Sequence, residues 1–320
     1  MSEDLDFDIL RSAHIELKVT DLERSREFYV KTLGLVETET TSSQIYLRGV
    51  EDRSHHCLVL TEAAKPSVGH LSFRVRTEKD LDMLAKLFNG GKLSYRWIQP
   101  GSLEKGQGRA LRLQDPLGFP MEFFFEMEEA EWLWQSFDRH LGARIMRIDH
   151  FNLFVSDVKE ASEWYVKKLG FQCTEYTETE DEIPKLWATW LKRKPTVHDV
   201  ALMIGSGPRV HHAGFYVPDQ QAILRTADLL ASKGYLRSME RGPGRHGISN
   251  AFFLYLRDPD GHRIELYTGD YLSVDPGWKP IRWKLNDPHR QTFWGAPAPE
   301  SWFKEASEVD SVFQEEAAQD

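Results

Sequence analysis

The chain has 320 residues, 41 % hydrophobic and 12 % aromatic, which suits about two ordinary domains with full cores and excludes wholesale disorder. A formal charge of -10 without a Lys/Arg run argues against nucleic acid and anionic membrane as partners. A mean hydropathy of -0.50 and no apolar run near about 18 residues argue against a membrane-spanning helix. The acidic opening MSEDLDFDIL and only two cysteines, Cys57 and Cys173, predict a cytoplasmic protein without a disulfide framework.

Taken in order, residues 1–8 read as a tail and 9–126 as a first domain. An alternating strand from His14 to Val19 leads into Thr20-Asp21, residues suited to cap a helix. That helix runs to Leu33-Gly34, where glycine tolerates the left-handed conformation past the helix end. Ile45-Tyr46-Leu47 and Cys57-Leu58-Val59-Leu60 read as half-buried strands, and Asp115-Pro116-Leu117-Gly118 as a tight turn. Residues 127–147, acidic and carrying Trp132 and Trp134, predict a linker helix.

Residues 148–269 then repeat the first domain. His14 corresponds to His150, Asp21 to Asp157, Phe28-Tyr29 to Trp164-Tyr165 and Leu33-Gly34 to Leu169-Gly170, all at an offset of 136. His70 corresponds to His212 at offset 142, and Asp115-Pro116-Leu117-Gly118 to Asp258-Pro259-Asp260-Gly261 at 143, with Glu122 falling on Glu265. A slowly drifting offset marks a duplication with small loop insertions. The expected fold is α+β, two tandem βαβββ modules with mixed sheets. Residues 270–303, rich in Pro and Trp, have no copy in the first half. The acidic stretch 304–320 reads as a solvated tail, and His262, in the second turn, as exposed.

The duplication places His150, His212 and Glu265 at equivalent strand positions of one module. Alternation along strands sends such residues to one face, so three strands of a cupped sheet can aim them at one point. Two imidazoles and a carboxylate form the facial triad of non-haem Fe(II) oxygenases, which leaves positions for substrate and O₂. The bland alternative for a strand histidine is a hydrogen-bonded core residue.

The surrounding residues sharpen this reading. Gly244-Arg245-His246, Leu254-Tyr255, Asp258-Pro259-Asp260-Gly261 and Glu265 resemble the signature of extradiol ring-cleaving dioxygenases of the vicinal oxygen chelate superfamily. The resemblance spans roughly residues 9 to 303. It is nearest the homoprotocatechuate (3,4-dihydroxyphenylacetate) 2,3-dioxygenases, through Arg147-Ile-Asp-His-Phe-Asn152, Thr196-Val-His-Asp199 and Arg241-Gly-Pro-Gly-Arg-His-Gly-Ile-Ser-Asn250. It implies metal ligation by His150, His212 and Glu265, with Fe(II), or Mn(II), as cofactor. It implies acid–base work by His198, a catalytic Tyr255, and substrate contacts from Asn152, Trp190, Arg241 and His246. Residues 270–303 would be a lid, the first domain a non-catalytic scaffold, and the assembly a homotetramer. The implied reaction inserts both atoms of O₂ into a catechol and yields a muconic semialdehyde in aromatic catabolism.

Two departures from the family pattern bear on these expectations. Gln291 stands where the homoprotocatechuate enzymes carry the second of two consecutive arginines, so an uncharged or alkylated catechol is the rival substrate. In the first domain His14, His70 and Glu122 fill all three triad positions, and His55 lies near the repeat position of His198. Against a second metal there, Arg112 occupies the position of Tyr255. A glyoxalase-like isomerase and a metal-free binding protein share the fold, but neither has reason to carry the extradiol signature.

Overall fold

The computed structural model describes residues 5–313. The first half forms an eight-stranded mixed sheet, ordered Val36–Thr40, Gln44–Arg48, Leu58–Glu62, Ile9–Val19, Ser67–Val75, Pro120–Phe124, Ala110–Gln114 and Tyr95–Ile98. The second half forms the matching sheet, ordered Met239–Arg245, Phe252–Arg257, Arg263–Thr268, Arg209–Tyr216, Arg147–Val155, Val200–Ile204, Leu186–Lys192, Gln172–Glu178 and Ile281–Lys284. The α+β duplication is therefore present, and it runs one level deeper than the sequence repeat reveals. Each sheet is built on two βαβββ units, each with its helix after the first strand: Leu22–Arg26 continued by a π turn over Glu27–Thr32, then Glu78–Gly90, Val158–Leu169 and Gln220–Ser232, and the second sheet adds Ile281–Lys284 and Ser307–Glu308.

Local chemistry sets these helices. Asp21 and Asp157 accept from the amides of Arg24 and Glu160 at 2.9 Å, and Gly170 ends its helix at φ 70°. The helix Val158–Leu169 buries Val158, Ala161, Tyr165 and Leu169, one stripe at helical spacing laid on the sheet.

The two Asp-Pro-x-Gly turns do more than reverse the chain. Asp115 Oδ1 accepts from the amides of Leu117 and Phe119 at 2.9 and 2.7 Å, and Asp258 Oδ1 from Asp260 and His262 at 3.0 and 2.8 Å. The free oxygen of Asp258 accepts from the Tyr29 hydroxyl of the first domain at 2.9 Å. His262 is correspondingly buried, not exposed: its ring nitrogens bond the Ser307 hydroxyl at 2.8 Å and the Lys18 carbonyl at 3.0 Å. The turns stitch the two domains together.

Two expectations are corrected. Residues 127–147 contain no α-helix, only a 3₁₀ turn at Phe137–Arg139. Trp132 and Trp134 are two apart, a spacing that shares a face in extended chain and not in a helix, and their rings stack at 6.1 Å. This extended strap is held by Glu128 and Ala130, which bond backbone at His55, Gly106 and Arg53. Residues 304–313 are no solvated tail either. Ser307–Glu308 pairs with Arg209–Tyr216, Asp310 meets Lys18 at 2.6 Å, and Val312 is buried. The acidic residues of 314–320 lie outside the described residues.

Candidate metal centre

Four adjacent strands at the middle of the second sheet converge on one point. His150 lies on Arg147–Val155, His212 on Arg209–Tyr216 and Glu265 on Arg263–Thr268, while His198 immediately precedes Val200–Ile204. The register sets Gly214 between His150 and Glu265. A Cβ there would stand 2.2 Å from His150 Cε1 and 2.4 Å from its Nε2, so only glycine lets the ring take this place. Gly214→Ala is therefore expected to lower retained metal by at least about tenfold, the scale for disturbing a ligand's support. Metal analysis beside circular dichroism checks it: full metal content in the folded variant contradicts this account of Gly214.

His150 Nε2 and His212 Nε2 are 3.4 Å apart, and they approach Glu265 Oε2 to 2.9 and 3.1 Å. Ligands about 2.1 Å from one ion and at right angles to each other lie about 3 Å apart, so the three atoms suit one face of a metal's coordination shell. Neighbours fix the tautomers. His150 Nδ1 donates to Asp149 Oδ2 at 3.1 Å, which leaves Nε2 facing inward, open to a proton or an ion. His211 donates from Nε2 to the Trp302 carbonyl at 2.9 Å, so its Nδ1 accepts from His212 Nδ1 at 2.7 Å. His212 then also turns a lone pair inward. Burial alone would raise the Glu265 carboxyl, but the adjacent His150 and His212 outweigh it and hold the group well below the usual range. Burial would lower His150, yet Asp149 and Glu265 lift it to about 9. Burial pushes His212 down to about 4 despite Glu265, so its inward Nε2 stays free to hold an ion.

Above the triad lies a cavity that reaches Asn152, Trp190, His198, His246, Tyr255 and Gln291. The His198 ring is buried and sits 4.0 Å from that of His150, centroid to centroid. Burial first, then the charges of His150 and Lys194, push its pKa well below that of free imidazole. Asn152 Oδ1 has no hydrogen-bond partner among the described residues. His246 Nδ1 bonds the Gln291 carbonyl, so its Nε2 accepts from the Tyr255 hydroxyl at 2.9 Å. Tyr255 thus turns an oxygen lone pair to the cavity.

Arg241 is absent from the cavity wall. Its Nη2 donates to the Gln291 carbonyl at 3.2 Å and the Thr292 hydroxyl at 2.7 Å, while its Nε and Nη1 are buried without partners beside Tyr255 and Trp302. Arg290 lines the cavity instead, its guanidinium 4.9 Å from the Trp187 ring. Sequence reasoning passed over Trp302, Tyr267 and Asp149. Asp149 and His211 each precede a ligand, a position that alternation assigns to the opposite face. The segment after Asp270 closes one side. Tyr271 and Trp283 both donate to Glu175 at 2.5 Å, and the Arg290 carbonyl accepts from the amides of Gly247 and Ile248.

The Glyoxalase/Bleomycin resistance protein/Dioxygenase superfamily matches residues 11–123 and 147–266, one stretch in each domain. A manganese-dependent 2,3-dihydroxybiphenyl 1,2-dioxygenase of Geobacillus genomosp. 3 is 34 % identical over 91 % of this chain and 95 % of its own. A metapyrocatechase of Geobacillus stearothermophilus is 32 % identical over 95 % of each. Among solved structures, the homoprotocatechuate 2,3-dioxygenase of Brevibacterium fuscum, in complex with 3,4-dihydroxyphenylacetate, has a TM-score of 0.93 and 42 % identity, covering 98 % of this chain and 97 % of that one. The Arthrobacter globiformis enzyme of the same name has a TM-score of 0.92 at 42 % identity, covering 95 % and 94 %.

Proposed function

Since the chain belongs to the Glyoxalase/Bleomycin resistance protein/Dioxygenase superfamily, and is an extradiol catechol dioxygenase within it, we propose that it cleaves 3,4-dihydroxyphenylacetate, with His150, His212 and Glu265 as metal ligands. The observation that carries this reading is the convergence of those ligands at the floor of a cavity walled by Arg290 and Gln291. Fe(II) is the proposed ion, with Mn(II) the alternative, because two imidazoles and one carboxylate serve either and one relative is named manganese-dependent. Such an ion, when bound, gathers the catechol oxygens and O₂ in adjacent positions. The product is a muconic semialdehyde.

The side chains supply the rest. His198, held neutral by burial, is ready to take a proton from the catechol and return it later. The Tyr255 oxygen accepts a hydrogen bond from the second hydroxyl, and His246 fixes its direction. Asn152 and Trp190 bound the space beside the bound ring. The free cysteines suit a reducing cytoplasm. The exposed Phe137 and Leu141 of the strap offer apolar surface for the proposed homotetramer, which sedimentation would check.

Substrate choice rests on the far wall. Gln291 offers an amide but no charge, so the carboxylate falls to Arg290, while Arg241 stands behind the wall and holds Gln291 and Thr292 in place. A charge-assisted hydrogen bond contributes about 1.5–3 kcal/mol, which corresponds to roughly 10- to 100-fold in affinity. Arg290→Met is expected to raise KM for 3,4-dihydroxyphenylacetate by that factor, and Arg241→Ala, which removes the support behind Gln291, by less, both leaving plain catechol nearly unchanged. Oxygen uptake across a panel of catechols reads this directly. A wild type that prefers plain or alkylated catechols, with both rings equally affected in the variants, shifts the substrate to uncharged catechols and leaves ring cleavage intact.

A further inference from the structure

The first domain repeats the metal cluster of the second and adds a ligand. His14 and Glu122 flank Ser72 in the register that sets His150 and Glu265 about Gly214. His14 Nε2 and His70 Nε2 are 3.1 Å apart, and His14 Nε2 is 3.3 Å from Glu122 Oε1. Glu104 joins from the loop before Ala110–Gln114, with Oε2 3.1 Å from His14 Nε2 and Oε1 3.1 Å from His70 Nε2. All four side chains are at most 1 % exposed. With His70 Nε2 3.7 Å from Glu122 Oε1, these separations span 3.1 to 3.7 Å, against 2.9 to 3.4 Å in the second-domain triad.

Three features favour an ion over a hydrogen-bonded core. First, Glu16 Oε2 lies 3.1 Å from His70 Nδ1 and accepts its proton, so His70 turns a lone pair to the centre. His14 aims Nε2 at the same point, and only one proton fits between two nitrogens so close. Second, the charges do not balance. Glu16, Glu104 and Glu122 bring three buried carboxylates, against which Arg112 sets one guanidinium, bonded through Nε to Glu122 Oε2 and through Nη2 to Glu104 Oε1, each at 2.5 Å. Without an ion only protonated imidazoles offset the other two charges, and a divalent cation does so while leaving both rings neutral. Third, Arg112 Nη2 comes within 3.5 Å of His70 Nε2 but leaves Glu104 Oε2 and Glu122 Oε1 turned toward His14, so the ion position lies on the His14 side of the guanidinium. The surroundings also repeat. His56, rather than His55, stands over His14 at 4.7 Å between ring centroids, as His198 does over His150, and its Nε2 lies 3.1 Å from Glu104 Oε2.

We propose that His14, His70, Glu104 and Glu122 hold a divalent first-row transition ion as a closed structural site in the first domain. Arg112 and Glu104 are buried on the side where the second domain keeps Tyr255 and its cavity, so this ion takes no catechol. Elemental analysis of the full chain, loaded with Mn²⁺ or Zn²⁺ and then gel-filtered, tests it. Wild type is expected to carry two equivalents, and a His212→Ala/Glu265→Gln variant one. Adding His14→Gln and Glu104→Gln to that variant should remove the last equivalent. Anomalous diffraction from Mn²⁺-loaded wild-type crystals, which needs no variant to fold, should give a peak between His14 and His70. The proposal is overturned if the folded His212→Ala/Glu265→Gln variant binds neither metal, if its ion survives the added substitutions, or if that peak is missing. None of these results touches the ring-cleavage reading, which rests on the other domain.

Discussion

Glu265→Gln is expected to empty the second-domain centre and to remove ring cleavage. The side chain keeps its size, so the strand Arg263–Thr268 and its pairing should stand. What changes is the charge and one acceptor. In the native chain Glu265 Oε2 faces His150 Nε2 at 2.9 Å and His212 Nε2 at 3.1 Å, and all three are nearly inaccessible to water. An amide there is neutral, and its NH₂ would turn donors toward the point where an ion needs lone pairs. Loss of a mere supporting partner costs a metal site roughly 10- to 100-fold in affinity, so loss of a charged ligand should cost more. Elemental analysis and oxygen uptake on the purified variant check both parts. Normal metal content with normal turnover removes Glu265 from the centre.

How much of this was legible beforehand depends on range. The triad could be read because the duplication aligns three strand positions, and alternation then forces them to one face. The extradiol pattern around Tyr255 and Glu265 added the reaction. Contacts between elements distant in sequence were not legible. Nothing in the sequence says that Asp258 accepts from Tyr29, 229 residues away, so the turn read as an isolated reversal and His262 as exposed. Glu104 was missed because it comes from a loop without a counterpart in the pattern. Arg241 was placed in the cavity wall by resemblance, yet its Nη2 is taken up by the backbone of Gln291 and by Thr292. The strap over 127–147 differs from the helix its acidity and two tryptophans suggest because it lacks a 3.6-residue apolar stripe to lay on a sheet.

His198→Asn and His198→Phe are expected to leave the metal and catechol binding in place while slowing turnover. The reason lies in how the loop is held. Asp199 Oδ1 accepts from the Ser12 amide of the first domain at 2.8 Å, and Oδ2 accepts from the Arg193 and Lys194 amides at 2.5 and 2.9 Å. Lys194 Nζ bonds the His198 carbonyl and, at 2.8 Å, that of Asp149, tying the loop to the residue behind His150. These anchors are backbone and Asp199 contacts, so replacing the His198 ring should not release the loop. The ring itself donates nothing to the triad; it stands beside His150 and opens on the cavity. Its loss should therefore spare the ion and remove a proton acceptor, with a fall of roughly 10²–10⁴-fold in turnover, the usual scale for general acid–base catalysis. Asparagine can still hydrogen-bond and phenylalanine cannot, so Asn should retain more activity than Phe. Stopped-flow absorbance with saturating O₂, beside metal analysis and anaerobic catechol titration, separates the steps. Equal turnover in wild type and both variants would take His198 out of the chemistry, and loss of metal in the folded variants would make it a structural support of His150 instead.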